Sequence, residues 1–337
     1  MQLSFFDVLI TVFSLVLLMV PGFLLVKTKL LGKGADSVLS ALVLYGCQPM
    51  LMITSFQKTA FRADIAINML IVCGLAILVH LIMIGVVYLV IRSKPEDERV
   101  NAKRNCVRFG SVFSNCGYMG LPFLQSLFGS GDVGNEIIIY GGIVIAIFNL
   151  FNWTIGVYMM TGDRKEMSIK KILLNPTIIA IFVGLILFFT VQKPIVDVAV
   201  EGSMFDALLT KIMKAIGYLG EMVTPLAMIV IGVKLANQDL KKIFLDKYAY
   251  INALLKLVVM SLICMLVTAF LPISTIVKYA IFFCLSMPSA TSTTLFAVRF
   301  GGDSDSASVF VLLSTLLSIV TIPLMFLTFS SLFGVVI

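Results

Sequence analysis

Apolar residues in this chain gather into long runs, and polar residues are confined to the short gaps between them. Ten runs are long enough to cross a bilayer: 5–26, 37–55, 64–91, 105–128, 136–160, 172–191, 211–235, 249–270, 276–298 and 306–333. A helix of about 20 apolar residues spans the hydrocarbon layer and satisfies its own backbone groups there. The gaps are short, so no water-soluble domain is expected. The gap 192–210, with Asp197, Glu201 and Asp206, reads as a surface loop or interfacial helix. The first run lacks the basic leader and small-residue cleavage site of a signal peptide and is expected to be a span.

Composition agrees. Of the 337 residues, 60% are hydrophobic and only 13% charged, about half the charged share of a soluble domain. Mean hydropathy is +1.07. The solvent such a chain fits is the lipid bilayer. In a soluble protein the net charge of +7 would suggest nucleic acid, but its placement gives orientation instead. With the N-terminus outside, Lys27, Lys29, Lys33, Arg92, Lys94, Arg99, Lys103, Arg104, Arg108, Arg164, Lys165, Lys170, Lys171, Lys234, Lys241, Lys242, Lys247 and Arg299 fall inside. Only Lys58, Arg62, Lys193, Lys211, Lys214 and Lys278 fall outside. The positive-inside rule then predicts a multi-pass protein of the cell membrane with both termini outside.

Five runs precede the polar segment 161–171 and five follow it. An odd number per half means that a repeat would be inverted. This predicts a first five-helix repeat over 1–160, a cytoplasmic linker at 161–171 and a second, inverted repeat over 172–337. Prolines occupy runs one, two and four (Pro21, Pro49, Pro122) and runs six, seven and nine (Pro176, Pro225, Pro288). Proline removes a helix hydrogen bond and clashes with the preceding turn, so matched prolines predict matched breaks. Inverted repeats with broken helices are an architecture of secondary transporters.

Run four reads FGSVFSNCGYMGLPFLQSLFG and run nine FFCLSMPSATSTTLFAVRFGG. If both unwind at Pro122 and Pro288 and cross, freed amides around Asn115–Gly120 and Ser289–Thr293 can form an anion cradle at converging helix N-termini. Glycines 117 and 120 would admit close approach of a ligand, with Gly120 free to take dihedrals other residues avoid. The competing explanation is a proline kink satisfied by neighbouring Ser and Thr.

Four stretches, NCGYMGLP (115–122), NPTIIAIFVGLIL (175–187), TPLAMIVIGVKLA (224–236) and MPSATSTTLFAVRFGGDSDSAS onward (287–324), resemble the auxin efflux carrier family. The resemblance covers essentially the whole chain. It implies an all-α membrane protein of ten transmembrane helices in two inverted five-helix repeats with crossed broken helices, as in sodium/bile-acid symporters. Runs one, two, six and seven would form a scaffold and the rest a moving transport unit. Absence of a long loop at 161–171 points to the bacterial branch, whose members are assigned small dicarboxylates such as malonate and malate. The family's plant carriers place an Asp and a Lys four apart at the start of run three. Asp64 and Asn68 stand there, so that charge pair is broken and auxin as substrate is put in doubt.

Candidate substrate-binding residues are therefore Asn115, Gly117, Tyr118, Gly120, Pro122, Asn149, Asn152, Pro288, Ser289, Ser292 and Thr293. Asn149, Asn152 and Trp153 share one helix face, and carboxamides there can donate to a substrate carboxylate or bond between helices. The resemblance places the Asn149 position at the substrate site. Candidates for coupling to H+ or Na+ are Glu221, His80 and Lys256. Glu221 is either an ion carrier or a hydrated residue near the outer surface. Lys256 can snorkel or pair with a carboxylate, and His80 can titrate or simply pack.

The six cysteines have no metal-ligand spacing, no phosphate-cradling loop is present, and the single histidine supports no hydrolytic triad. Neither a cofactor nor enzymatic activity is expected. The leading expectation is a transporter or facilitator of a small organic anion, mono- or dicarboxylate, with room for a homodimer. Its rivals are a membrane sensor or receptor of the same fold, and a channel.

Overall fold

The computed structural model describes residues 3–32, 34–92, 97–129, 131–198, 200, 203–237 and 243–333. Lys33, Lys94, Glu201, Lys241 and Lys242 lie outside the described residues.

Among the described residues, regular structure is helical. Three helices come first: α1 (Phe5–Lys27), α2 (Ala35–Gln57) and α3 (Ala63–Val90). Two half-helices follow, α4 (Glu98–Val112) and α5 (Leu121–Phe128), and then the long α6 (Asp132–Thr161). The order then recurs: α7 (Pro176–Val191), α8 (Met204–Ala236) and α9 (Lys247–Ala269), half-helices α10 (Thr275–Leu285) and α11 (Ser292–Arg299), and α12 (Ser304–Phe333). Among the described residues, eight helices have the length and hydropathy to cross a membrane. The two remaining expected spans, runs four and nine, are interrupted. The expected surface segment 192–210 is helical from Met204, after one 3-10 turn at Ile195–Val198.

Polar residues start several helices where the sequence has no hydrophobic reason to stop. Ser4 and Asp7 form a reciprocal capping box on α1, and Asp97, Asp246 and Ser274 accept from the first turns of α4, α9 and α10. Close helix packing depends on missing side chains. A Cβ on Gly22 would lie 2.2 Å from the Ile229 carbonyl oxygen, and one on Gly232 2.0 Å from that of Met19. The backbones of α1 and α8 therefore touch, as small residues permit in lipid. Helix α6 lies inside, most of its residues buried, whereas α7 leaves many of its apolar side chains exposed, among them Ile179, Phe182, Ile186 and Phe189.

The prolines behave differently from the expectation. Helix α1 runs through Pro21 unbroken. Pro176 starts α7, capped by the Asn175 side chain on Thr177 N. Pro225 lies in the first turn after Met222. Pro49 and Pro122 each follow a π-turn, at Leu42–Cys47 and Cys116–Gly120, and sit in the first turn of the α-segment beyond it. Pro176, at the true start of its helix, forfeits no bond because that N–H would be unpaired anyway, whereas Pro122 continues from a π-turn and withholds a donor from the turn before it. The interruption of run four lies at Phe113–Asn115, several residues before Pro122. Of the two prolines expected at breaks, only Pro288 stands in one, the gap between α10 and α11.

Candidate functional site

The two gaps meet. Ser114 and Ser289 form an antiparallel bridge, in which Asn115 N donates to the Pro288 carbonyl at 2.7 Å and Ala290 N donates to the Phe113 carbonyl at 2.8 Å. An unpaired backbone group in hydrocarbon costs several kcal/mol, and here each break satisfies the other. This corrects part of the expected cradle. The amides of Asn115 and Ala290 are used in the crossing, Met119 and Gly120 donate to the Asn115 carbonyl, Ser289 donates to Ser314 Oγ, and Thr293 to the Ala290 carbonyl. Gly120 has an ordinary helical φ of −62°. A Cβ there would sit 3.5 Å from Cys284 and 3.6 Å from Met287, so Gly120 faces the other half-helix.

What stays available at the crossing leads its second half-helices. The amides of Cys116, Gly117 and Tyr118 lead the half-helix that continues into α5 and have no carbonyl behind them in their own helix. Helix α11 starts likewise at Ser292. Both N-termini carry partial positive charge. Among the described residues, the buried hydroxyls of Thr293, in the first turn of α11, and of Ser286, at the end of α10, have no hydrogen-bond partner.

In front of these N-termini runs a chain of carboxamides and hydroxyls. Gln48 Nε2 on α2 donates to the Gly117 carbonyl at 2.7 Å. Thr177 Oγ1 on α7 donates to Gln48 Oε1 at 3.5 Å. Asn175 Oδ1 caps Thr177 N, and its Nδ2 lies 3.5 Å from Asn149 Oδ1 on α6. Asn149 Nδ2 turns back to its own helix, at 2.8 Å from the Ile145 carbonyl. Asn152, one turn on, accepts from Ser292 Oγ at 3.2 Å. Trp153 packs on Phe296, centroids 4.7 Å apart. Tyr118 donates to the Ser40 carbonyl at 3.2 Å, and the Lys234 ammonium lies 5.6 Å from its ring centroid.

A Cβ on Gly117 would fall 3.0 Å from Gln48 Nε2, so any larger residue there presses on the Gln48 side chain. Gln48 has a specific reason to be there. The π-turn sends Leu121 N–H to the Cys116 carbonyl, and the next residue, Pro122, has no N–H. The Gly117 carbonyl is thus orphaned by its own helix, and the Gln48 side chain supplies the donor.

Behind the crossing, α9 contributes Asn252 and Lys256, both fully buried and one turn apart. Asn252 Nδ2 donates to Ser111 Oγ at 3.1 Å and lies 3.3 Å from the Val107 carbonyl, while its Oδ1 accepts from Ser289 Oγ at 2.8 Å. Lys256 Nζ donates to the Val112 carbonyl (3.3 Å), the Leu285 carbonyl (3.1 Å) and Ser114 Oγ. It does not snorkel, and among the described residues it meets no carboxylate. His80 is buried on α3 with Nδ1 2.7 Å from the Ala76 carbonyl, stacked on Phe151. Glu221 is exposed at the far end of its helix segment. There it lines a cavity of ≈ 500 Å³ with Lys58, Asp197, Lys214 and Tyr218. This cavity is distinct from the crossing, although a narrower crevice lined by Ser55, Gln125, Asn135 and Glu221 adjoins it. Asp64 pairs with Arg62 at 2.8 Å, and Arg62 also reaches Glu136 at 3.3 Å. Among the described residues no His, Cys, Asp and Glu cluster could hold a metal ion.

Of the residues picked from sequence, Asn115, Gly117, Tyr118, Asn149, Asn152, Pro288, Ser289, Ser292 and Thr293 gather at or around the crossing. Sequence reasoning missed Gln48, Ser114, Asn175, Thr177 and Asn252. Gln48 and Asn175 each directly precede a proline inside or beside an apolar run, and Asn252 lies one turn before Lys256. A polar residue in either setting was the available signal.

Comparison with known proteins was informative at the level of the whole chain. A family described as "Membrane transport protein" matches residues 7–326. An uncharacterized transporter of Methanothermobacter thermautotrophicus is 25% identical over 318 residues, covering 93% of this chain and 96% of that protein. A Rhizobium meliloti protein, provisionally named a malonate transporter, is 26% identical over 225 residues, covering 64% of this chain and 63% of that protein.

Proposed function

Because the chain belongs to the membrane transport protein family, that of the auxin efflux carriers its motifs resemble, we propose that it moves a small organic anion across the cytoplasmic membrane by alternating access. The basic loops then face the cytoplasm and both termini face outward. Helices α1, α2, α7 and α8 form the fixed scaffold, and the remainder, organised around the crossing, moves. The two halves are inverted repeats of one five-helix unit.

The observation that carries this reading is the crossing of two interrupted helices, with uncommitted helix N-termini leading its second half-helices. Those N-termini attract negative charge through the partial charges of their backbone amides. Beside them, polar contacts span the proposed boundary as single bonds: Gln48 to Gly117, Asn175 to Asn149, Thr224 to Gln125 at 2.8 Å and Tyr118 to Ser40. A substrate carboxylate entering there can take over donors from Gln48, Asn149 and Asn175 as the moving unit slides. The name of the Rhizobium meliloti relative makes malonate the first substrate to try.

Uptake of labelled malonate, malate and monocarboxylates into proteoliposomes tests this directly. Asn149→Leu keeps volume but removes the amide, and should weaken substrate affinity by about 1–3 kcal/mol. Unchanged affinity in a monodisperse variant would assign Asn149 to packing, and absence of uptake of any carboxylate by the wild type would remove the transport reading.

A further inference from the structure

The back of the crossing is a cation site that the protein fills with its own side chain. Half-helices α4 and α10 both end there, at Val112 and Leu285. A helix C-terminus leaves carbonyls without intrahelical donors and carries partial negative charge. Two such ends, brought together and buried, call for a positive charge between them. Broken-helix transporters meet this need with carbonyls and half-helix C-termini that coordinate Na+.

Here the Lys256 ammonium stands at that point. Its three N–H groups match three oxygens: the Val112 carbonyl, the Leu285 carbonyl and Ser114 Oγ. Ser114 Oγ in turn donates to the Leu285 carbonyl at 2.7 Å, so the oxygens are tied to one another as well as to the amine. The side chain is fully buried, and no carboxylate pairs with it among the described residues. Burying an unpaired ammonium is costly, so the two helix ends act as its counter-charge.

We infer that Lys256 is the resident cation of the crossing, taking the place that a bound alkali-metal ion would occupy, and that the protein consequently neither binds nor requires Na+ there. Its role is positioning. It holds the two half-helix ends together and leaves the opposite, N-terminal face electropositive for an anion. This identifies how the transport unit proposed above dispenses with sodium at its centre, and it rests on that reading only for its meaning in transport.

The test uses thermal unfolding of the detergent-purified full chain in NaCl, KCl or choline chloride at equal ionic strength. Wild type should unfold at the same temperature in all three. Lys256→Ser frees the carbonyl oxygens and leaves space. It should unfold at a lower temperature in choline chloride and regain stability saturably with NaCl, an effect that loss of packing alone would not produce. Lys256→Met preserves the stem and bulk but not the charge, and should be destabilised in every salt. A saturable, sodium-specific stabilisation of the wild type would overturn the inference. So would a Lys256→Met variant as stable as wild type, or a folded Lys256→Ser variant indifferent to the cation. Failure of the wild type to transport any carboxylate would count against the proposed function while leaving this result interpretable, because the readout is stability.

Discussion

Replacing Gln48 by Leu tests whether the boundary between α2 and the crossing is where two transport states differ. Gln48 is 1% exposed, and its amide is 2.7 Å from the Gly117 carbonyl, which has no donor in its own helix. Leu has similar volume and no donor, so it strands a buried carbonyl. That costs about 1–3 kcal/mol. If the moving unit carries Gly117 away from α2 in the alternate state, the bond exists in one state only. The full cost then falls on that state and shifts the two-state ratio by about 5- to 150-fold. Spin labels at Asp132 and Lys193, exposed near the ends of α6 and α7, should report two distance populations by pulsed paramagnetic resonance. Gln48→Leu should deplete the population matching the described structure. An unchanged ratio, with only a lower unfolding temperature, would show that α2 and the crossing move together and would refute the boundary.

Asn252→Ala strands Ser289 Oγ and Ser111 Oγ behind the crossing and should cost about 2–6 kcal/mol, read as a lower unfolding temperature, since each buried orphan costs about 1–3. Gly232→Ala drives a methyl into the Met19 carbonyl at 2.0 Å. It should destabilise by about 1–3 kcal/mol or more through overpacking of α1 on α8, measurable by the same scan. A lone cysteine placed at Glu166, in the exposed turn after α6, should resist impermeant maleimide added to intact cells. Labelling there would invert the proposed orientation.

Much of the fold was legible because lipid forces a simple code. Apolar runs become helices, and among the described residues eight helices are long and apolar enough to cross a membrane, while runs four and nine are interrupted. That runs four and nine would be the interrupted pair was readable from their glycine, serine and proline content. Where the chain breaks was not. Pro122 sits past a π-turn inside a segment that stays helical, and the break at Phe113–Asn115 contains no proline at all. Its position is decided by a partner 175 residues away in sequence, Ser114 against Ser289, and no local pattern encodes such a pairing. The π-turns that accommodate Pro49 and Pro122 are equally silent. The site followed the same division. Asn149, Asn152 and Ser292 were visible as polar residues in apolar runs, whereas the use of Gln48 depends on a carbonyl orphaned in another helix. Lys256 was visible as a charge out of place, but its partners are main-chain oxygens, which composition cannot show.

The reciprocal bonds between Asn115 and Pro288 and between Ala290 and Phe113 also bear on how the protein is made. As the chain leaves the ribosome, its first interrupted helix enters the bilayer long before residues 288–290 exist. Until they arrive, the Phe113 carbonyl and Asn115 amide must be sheltered by water at the insertion machinery or by a provisional, continuous helix. The crossing is therefore a late event of biogenesis, closed by a contact of large sequence separation of the kind that forms slowly. Lys256, made before α10, reaches the membrane ahead of one of the two helix ends it will join. A nascent first half is thus an unfinished object, and quality control that senses exposed backbone in lipid has a defined interval in which to act on it.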